Sequence, residues 1–266
     1  MLAVGKELLI GRTLNTNAHW VGGRLSRMGT MLKEVDTVDD DLAEISSAFR
    51  AAVRRSPDFI VVVGGLGPTP DDMTLEGIAK GLGVGVRENS NALDLIRRHY
   101  AKRGLQSLEL TPARKKMARL PVGAEPVANE LGTAPGVRVV VGKTVVYCLP
   151  GVPVEMRGIF RRSVEPEVRK KLGRMHRKYI TLRLEGVLES ALAPVISDEL
   201  RKHPGAYIKS HPRGVREGVS RIELDIAVVG KDRDATEAEG VAIRDEMAGA
   251  VMRSGGKVTS ESEGGR

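Results

Sequence analysis

The sequence predicts an α/β protein: a mixed, mostly parallel sheet over residues 1–172, followed by a smaller α+β unit over residues 173–256. Three observations carry this. Strand-like and helix-like patterns alternate through the first stretch. Phe59-Ile60-Val61-Val62-Val63 is an apolar, mostly β-branched run between Pro57 and Gly64, the habit of a parallel strand covered on both faces. Beyond residue 173 the order changes to strand, helix, strand, strand, helix, which describes a compact α+β unit.

Taken in order, residues 1–4 form a short first strand whose length points to a start several residues upstream. A helix is expected over residues 16–28, capped by Asn15-Thr16-Asn17, and a strand over residues 31–38. The next helix follows Asp41, with Leu42, Ile45, Phe49 and Val53 on one face at helical spacing. After the strand 59–63 come helices over 74–82 and 91–103, the second with Leu93, Ile96 and Tyr100 inward. Strands 137–141 and 144–149 are joined by Gly142-Lys143, a link of hairpin length, so the sheet is mixed. Pro153 suits the first turn of a helix. In the second unit, strands are expected at 179–184, 206–210 and 220–229, with helices at 190–201 and 234–252. The charged stretch 169–178 reads as the connection. Residues 257–266 are rich in Gly, Ser and Glu and are expected to form a flexible tail.

A chain of 266 residues with 41% hydrophobic content can bury a core without staples. The single cysteine, Cys148, rules out an internal disulfide and, within an apolar strand, reads as an inert thiol. The sequence shows neither an export signal nor an apolar run of membrane-spanning length, so the cytoplasm is expected and a membrane partner is not. The net charge of +8 is concentrated in residues 97–119 and 157–183. Such an excess attracts anions, nucleic acid or a phosphorylated small molecule, unless these are solvated helix faces. Aromatics are 3% of the chain, too few for a base-stacking sheet, which argues against nucleic acid.

The chemistry is expected in the loop Gly64-Gly65-Leu66-Gly67-Pro68-Thr69-Pro70-Asp71-Asp72-Met73-Thr74, directly after the buried strand. Ligands of open α/β sheets bind beyond the carboxyl ends of the strands. Glycines there let exposed N–H groups cradle an anion. Carboxylates beside a phosphate cradle call for a bridging cation such as magnesium. A divalent metal is therefore expected at Asp72, with Asp71 a second contact; the alternative is that one aspartate caps the following helix. Further turns fall at strand ends: Gly5 to Gly11, Asn129 to Gly136, and Pro150 to Met156. The five histidines show no metal-ligand spacing and read as surface or core residues.

Together these motifs resemble the MoaB/MogA molybdopterin-binding family, in the branch of competence/damage-inducible protein A (CinA). The carriers are Gly5-Lys6-Glu7-Leu8-Leu9-Ile10-Gly11, Asn15-Thr16-Asn17 (with Asn15 where the family has aspartate), Val38-Asp39-Asp40, the complete G-G-L-G-P-T-x-D-D from Gly64, N-x-x-G-T-A-P-G from Asn129, and L-P-G-V-P-x-E-M from Leu149. They span residues 1–165. Gly186, Glu189-Ser190 and Tyr207-Ile208-Lys209-Ser210-His211-Pro212 resemble the small linker domain of CinA-like proteins. The resemblance implies a three-layer fold and a KH-like topology in the second unit, although that unit lacks the G-x-x-G of nucleic-acid-binding KH domains. It implies a phosphorylated nucleotide or pterin ligand, a divalent cation (Mg, Co or Mn) and a homo-oligomer. It also implies hydrolysis of a nucleotide pyrophosphate such as ADP-ribose, with molybdopterin binding or adenylylation and non-catalytic nucleotide sensing as the alternatives. The deamidase domain of CinA proteins has no counterpart here, so deamidation is not expected. Under this reading Asp72, Asp71 and Asp40 are catalytic or metal-holding. Gly64, Gly65, Gly67, Pro68, Thr69 and Thr74 take the phosphate. Glu7, Asn17, Gly132, Thr133, Ala134, Pro150, Gly151 and Glu155 complete the walls.

Overall fold

The structure, a computed structural model, describes residues 1–105 and 109–264. The chain divides into two units: one comprises Met1–Arg24 and Met31–Lys171, the other Leu25–Thr30 and the chain from Leu172 onward.

The first unit is built on strands β1 (Leu2–Val4), β2 (Asp36–Val38), β3 (Phe59–Val63), β6 (Glu125–Val127), β7 (Gly136–Val141) and β8 (Thr144–Leu149), in the order β2-β1-β3-β8-β7-β6. Four of these strands run parallel, and the β7 and β6 edge is antiparallel. A separate ribbon pairs β4 (Val86–Glu88) with β5 (Arg119–Pro121). The helices are α1 (Lys6–Leu9), α2 (Thr16–Arg27), α3 (Leu42–Arg54), α4 (Thr74–Leu82), α5 (Ser90–Lys102), α6 (Pro112–Lys116), α7 (Pro153–Ile159) and α8 (Glu165–Leu172), with a π-helical turn, Phe160–Val164, between the last two.

The alternation in β3 explains the layers. Ile60 and Val62 join a core with Ile45 and Phe49 of α3, Ile78 of α4 and Ile96 of α5, while Val61 and Val63 are equally buried outside that cluster. On the other face, Trp20 of α2 meets Phe160 edge-on at 5.4 Å, and Ile159 of α7 lies against Gly136 in β7. The parallel strand is thus covered on both sides, as its continuous apolar run requires. Cys148 is fully buried, and burial pushes its thiol up to about 12.

Two expectations in this unit change in extent. The strand expected over 31–38 is only Asp36–Val38, because β1 supplies ladder partners from Leu2 onward and the register sets Leu2 opposite Asp36. The short elements α1, α6, β4, β5 and β6 were not anticipated; three to five residues leave no periodicity to read.

The second unit contains β9 (His176–Glu185), α9 (Glu189–Lys202), β10 (Tyr207–Arg216), β11 (Val219–Gly230), α10 (Arg233–Arg253) and β12 (Lys257–Glu263). Its sheet is antiparallel in the order β10-β11-β9-β12. Alternate residues Ile180, Leu182 and Leu184 of β9 face Ile243, Met247 and Val251 of α10 in one core. β10 continues past Ser210 through Pro212 and a register shift before Val215. It is an edge strand, where proline costs no ladder bond. Residues 257–263, expected in a flexible tail, instead pair with β9, and Lys257 meets Glu185 at 3.3 Å. Their polar composition is that of an exposed edge strand. The last two residues of that tail lie outside the described residues.

Arg24 of α2 grips the buried Glu165 of α8 in a fork of two 2.7 Å bonds, and Arg169 adds two more. Burial opposes the charge on Glu165, but the hydrogen bonds from Arg24 and Arg169 outweigh it and hold the carboxyl below its ordinary range. A depressed carboxyl stabilises the fold above its unfolded pKa, and that contribution disappears as pH falls through the folded value. Arg24→Met should therefore cost about 2 kcal/mol, the scale of charge-assisted bonds, in urea unfolding at neutral pH. The gap from wild type should close in acid, below the ordinary glutamate range.

Candidate functional site

The C-terminal ends of β1, β3 and β8 open into one cavity of about 570 Å³, within the size range of small-molecule sites. Its floor is the turn after β3. The Gly64 amide donates to the Leu149 carbonyl of β8 at 3.0 Å. At φ 109° Gly64 passes so close to the Val4 carbonyl that any Cβ would overlap it. Thr74, fully buried at the start of α4, donates its hydroxyl to the Gly64 carbonyl at 2.8 Å, and its amide binds the Gly65 carbonyl. So pinned, the turn leaves the amides of Gly65, Leu66 and Gly67 without an acceptor among the described residues. Three successive free N–H groups at a cavity wall are chemically suited to an anion.

Across the cavity, Asn17 donates its side-chain amide to the Gly151 carbonyl at 2.7 Å, which fixes the orientation of the group. Its Oδ1 is then buried with no donor. Asn15 caps α2 by accepting from the Ala18 amide. Asn129 ties the 129–136 loop together: it donates to the Ala134 carbonyl and to Glu155, and accepts from the amides of Leu131 and Gly132.

The acidic side of the cavity comprises Glu7, Asp40, Asp71 and Asp72. Burial, reinforced by the neighbouring carboxylates of Glu7, Asp39 and Asp71, pushes the Asp40 carboxyl above its ordinary range, although it accepts the Lys6 amide at 2.9 Å. Asp72 is partly committed: its Oδ2 accepts both the amide and the hydroxyl of Thr69, at 2.8 and 2.5 Å. It therefore staples its own loop, and only Oδ1 is left for a cation. Lys116 closes the same loop from outside by donating to the Thr69 carbonyl. Among the described residues no three His, Cys, Asp or Glu side chains converge as a ready-made metal cage.

Of the residues expected from sequence, Glu7, Asn17, Asp40, Gly64, Gly65, Gly67, Pro68, Asp71, Asp72, Thr133, Ala134, Pro150, Gly151 and Glu155 line this cavity. Thr69, Thr74 and Gly132 stand behind it. Thr69 is spent on Asp72, Thr74 on Gly64, and Gly132 packs against the Glu155 carboxylate while its amide binds Asn129. Sequence reasoning missed Leu14, Tyr100, Met117 and Val152 as lining residues. Tyr100 was taken for core from its helical spacing, and spacing does not distinguish a cavity wall from an interior.

The family described as "Probable molybdopterin binding domain" matches residues 1–170. The chain belongs to this family. A protein of Pyrobaculum arsenaticum is 41% identical over 236 residues, 88% of each chain. One of Aeropyrum pernix is 38% identical over 261 residues, 98% of this chain and 96% of its own. The crystal structure of CinA from Thermoplasma acidophilum, described as of unknown function, is 43% identical with a TM-score of 0.57, over 62% of this chain and 95% of that one. Among the described residues no helix is long and apolar enough to cross a membrane.

Gly64→Ala tests the pinned turn. Overlap with the Val4 carbonyl and a left-handed φ together should cost about 3 kcal/mol or more, read as a lowered urea midpoint. A variant as stable as wild type would mean the turn relaxes freely.

Proposed function

We propose that the cavity binds a phosphorylated nucleotide or pterin together with a divalent cation, and that the chain hydrolyses a nucleotide pyrophosphate such as ADP-ribose. The observation that supports this best is the juxtaposition of three unpaired amides at Gly65, Leu66 and Gly67 with the crowded carboxylates of Glu7, Asp40 and Asp71. A phosphate on those amides would face these carboxylates. The repulsion is relieved when a cation bridges them, and magnesium is commonly held by one or two carboxylates plus phosphate oxygens instead of an all-protein cage. The residues present suit that mode: Asp40 and Asp71 with the free Oδ1 of Asp72 as protein donors, and the ligand supplying the rest. Bound there, the cation would neutralise charge developing on the pyrophosphate. The unpaired Oδ1 of Asn17 awaits a donor, such as the amino group of a pterin or adenine ring, and Tyr100 offers a ring edge or face nearby.

The family match favours a second reading, in which the ligand is molybdopterin and the reaction, if any, is adenylyl transfer. A fluorescent pterin that co-purifies with the chain would select it. Stabilisation by nucleotide without turnover would instead select a sensor.

The test incubates purified protein with ADP-ribose and magnesium, manganese or cobalt. AMP release is expected, and Asp40→Asn should lower it by about 10-fold or more at fixed metal, the scale seen when the surroundings of a metal site are altered. Nucleotide at a hundredfold excess over Kd should stabilise the wild type by about 2.7 kcal/mol. Absence of both AMP release and stabilisation with all three metals would overturn the proposal.

A further inference from the structure

Behind the 129–136 loop lies a second cavity of about 200 Å³, walled by Leu95, Arg98, His99 and Lys102 of α5 and by Glu130 and Thr133 of the loop. His99 is 8% exposed, and its Nε2 is buried with no hydrogen-bond partner. The motifs of the main cavity do not account for this histidine. Leaving a buried imidazole nitrogen unpaired is costly, and the residue that carries it is part of the cavity wall.

The surrounding charge says which kind of partner would suit it. Glu130 is already engaged by Lys102 at 2.8 Å and Arg162 at 3.4 Å, and Glu155 accepts from Asn129. Arg98 is exposed and has no ion-pair partner among the described residues. Arg103 and Lys102 act on His99 as neighbouring cations, against Glu155 and Glu130; burial, the largest influence, and these cations keep the imidazole below its ordinary range and therefore neutral. A neutral imidazole can donate from Nε2. A cation would be repelled by Arg98, and an apolar ring would leave Nε2 unpaired.

We propose that this cavity is an oxyanion subsite that takes a phosphate group, bound by Arg98 and accepting a hydrogen bond from His99 Nε2, while Lys102 neutralises the Glu130 carboxylate in the same wall. Thr133 lines both cavities, so the subsite receives a second anionic group of the ligand held on the Gly65–Gly67 amides. This second statement rests on the proposed function; the anion site itself does not. The ligand class is thereby narrowed to molecules with at least two phosphates, such as a nucleotide pyrophosphate.

The experiment follows the ring nitrogens of His99 by NMR in 15N-histidine-labelled full chain, assigned with His99→Gln. Inorganic phosphate should shift them saturably. Arg98→Ala, at an exposed position, should weaken that response about fivefold or more, the loss of about 1 kcal/mol. ADP-ribose should shift the same signals, and Asn17→Ala should weaken its effect while leaving the phosphate response unchanged. No shift with millimolar phosphate, or a shift indifferent to Arg98→Ala, overturns the subsite. A response to phosphate but none to ADP-ribose that demonstrably stabilises the protein overturns the two-group ligand. Absence of any ADP-ribose binding counts against the proposed function alone, and the phosphate response then still supports the anion site.

Discussion

At the end of β3 the backbone brings Gly64 against the Val4 carbonyl, hands its amide to Leu149 and has its own carbonyl held by the Thr74 hydroxyl. Three elements, β1, β8 and α4, are thereby locked to one residue, and the rest of the cavity depends on that lock. With the turn fixed on both sides, the next three amides find no acceptor among the described residues, and the residues that carry them line the cavity. An unpaired amide costs free energy in a buried setting; here the cost is tolerated because the groups border open space where an anion or water can meet them. The prolines at 68 and 70 then limit how far the loop can relax, and the Asp72–Thr69 bonds close it.

That division of labour explains how much of the site could be read in advance. Gly64, Gly65 and Gly67 announced a close backbone approach, and the strand before them announced burial on both faces; both are backbone constraints that leave a mark in residue type. The roles of Thr69, Thr74 and Asp72 were less legible. A threonine or aspartate beside a phosphate cradle bonds the ligand or bonds the loop, and the sequence is the same in either case. Here Thr74 sits at full burial, which only the packing of α4 decides. The edges of the fold were obscure for a related reason. β12 is polar because it is an edge strand, and a polar edge has the composition of a tail.

The electrostatics of the chain cannot be inferred from its net charge of +8. The mouth of the main cavity is acidic, with Asp40 pushed up by burial and then by its neighbours, whereas the smaller cavity behind the 129–136 loop has Arg98 and Lys102 against one carboxylate, Glu130, in its wall. Many individual cations are neutralised within the protein: Arg24 and Arg169 on Glu165, Arg138 on Glu167, Lys178 on Glu237 and Glu263. What matters for binding is the charge left over after such pairing. On that measure Arg98, with no carboxylate of its own among the described residues, weighs more than several paired arginines.

Placing an acidic pocket and a basic one on either side of a single loop has a consequence for selectivity. Under the proposed function, ligand charge and metal charge are matched in the first and ligand charge alone in the second, so a molecule with one phosphate would satisfy only half the arrangement. Thr133 stands at the junction of the two cavities, and Asn129 ties the loop around it by three hydrogen bonds within the loop and one to Glu155. The separation of the two cavities is therefore set by loop geometry, while the charge offered in the second comes from an exposed side chain of α5, Arg98. Under the same proposal, a separation set by the loop would discriminate by the distance between a ligand's phosphates, a property of its skeleton, more sharply than by the identity of any one group it carries.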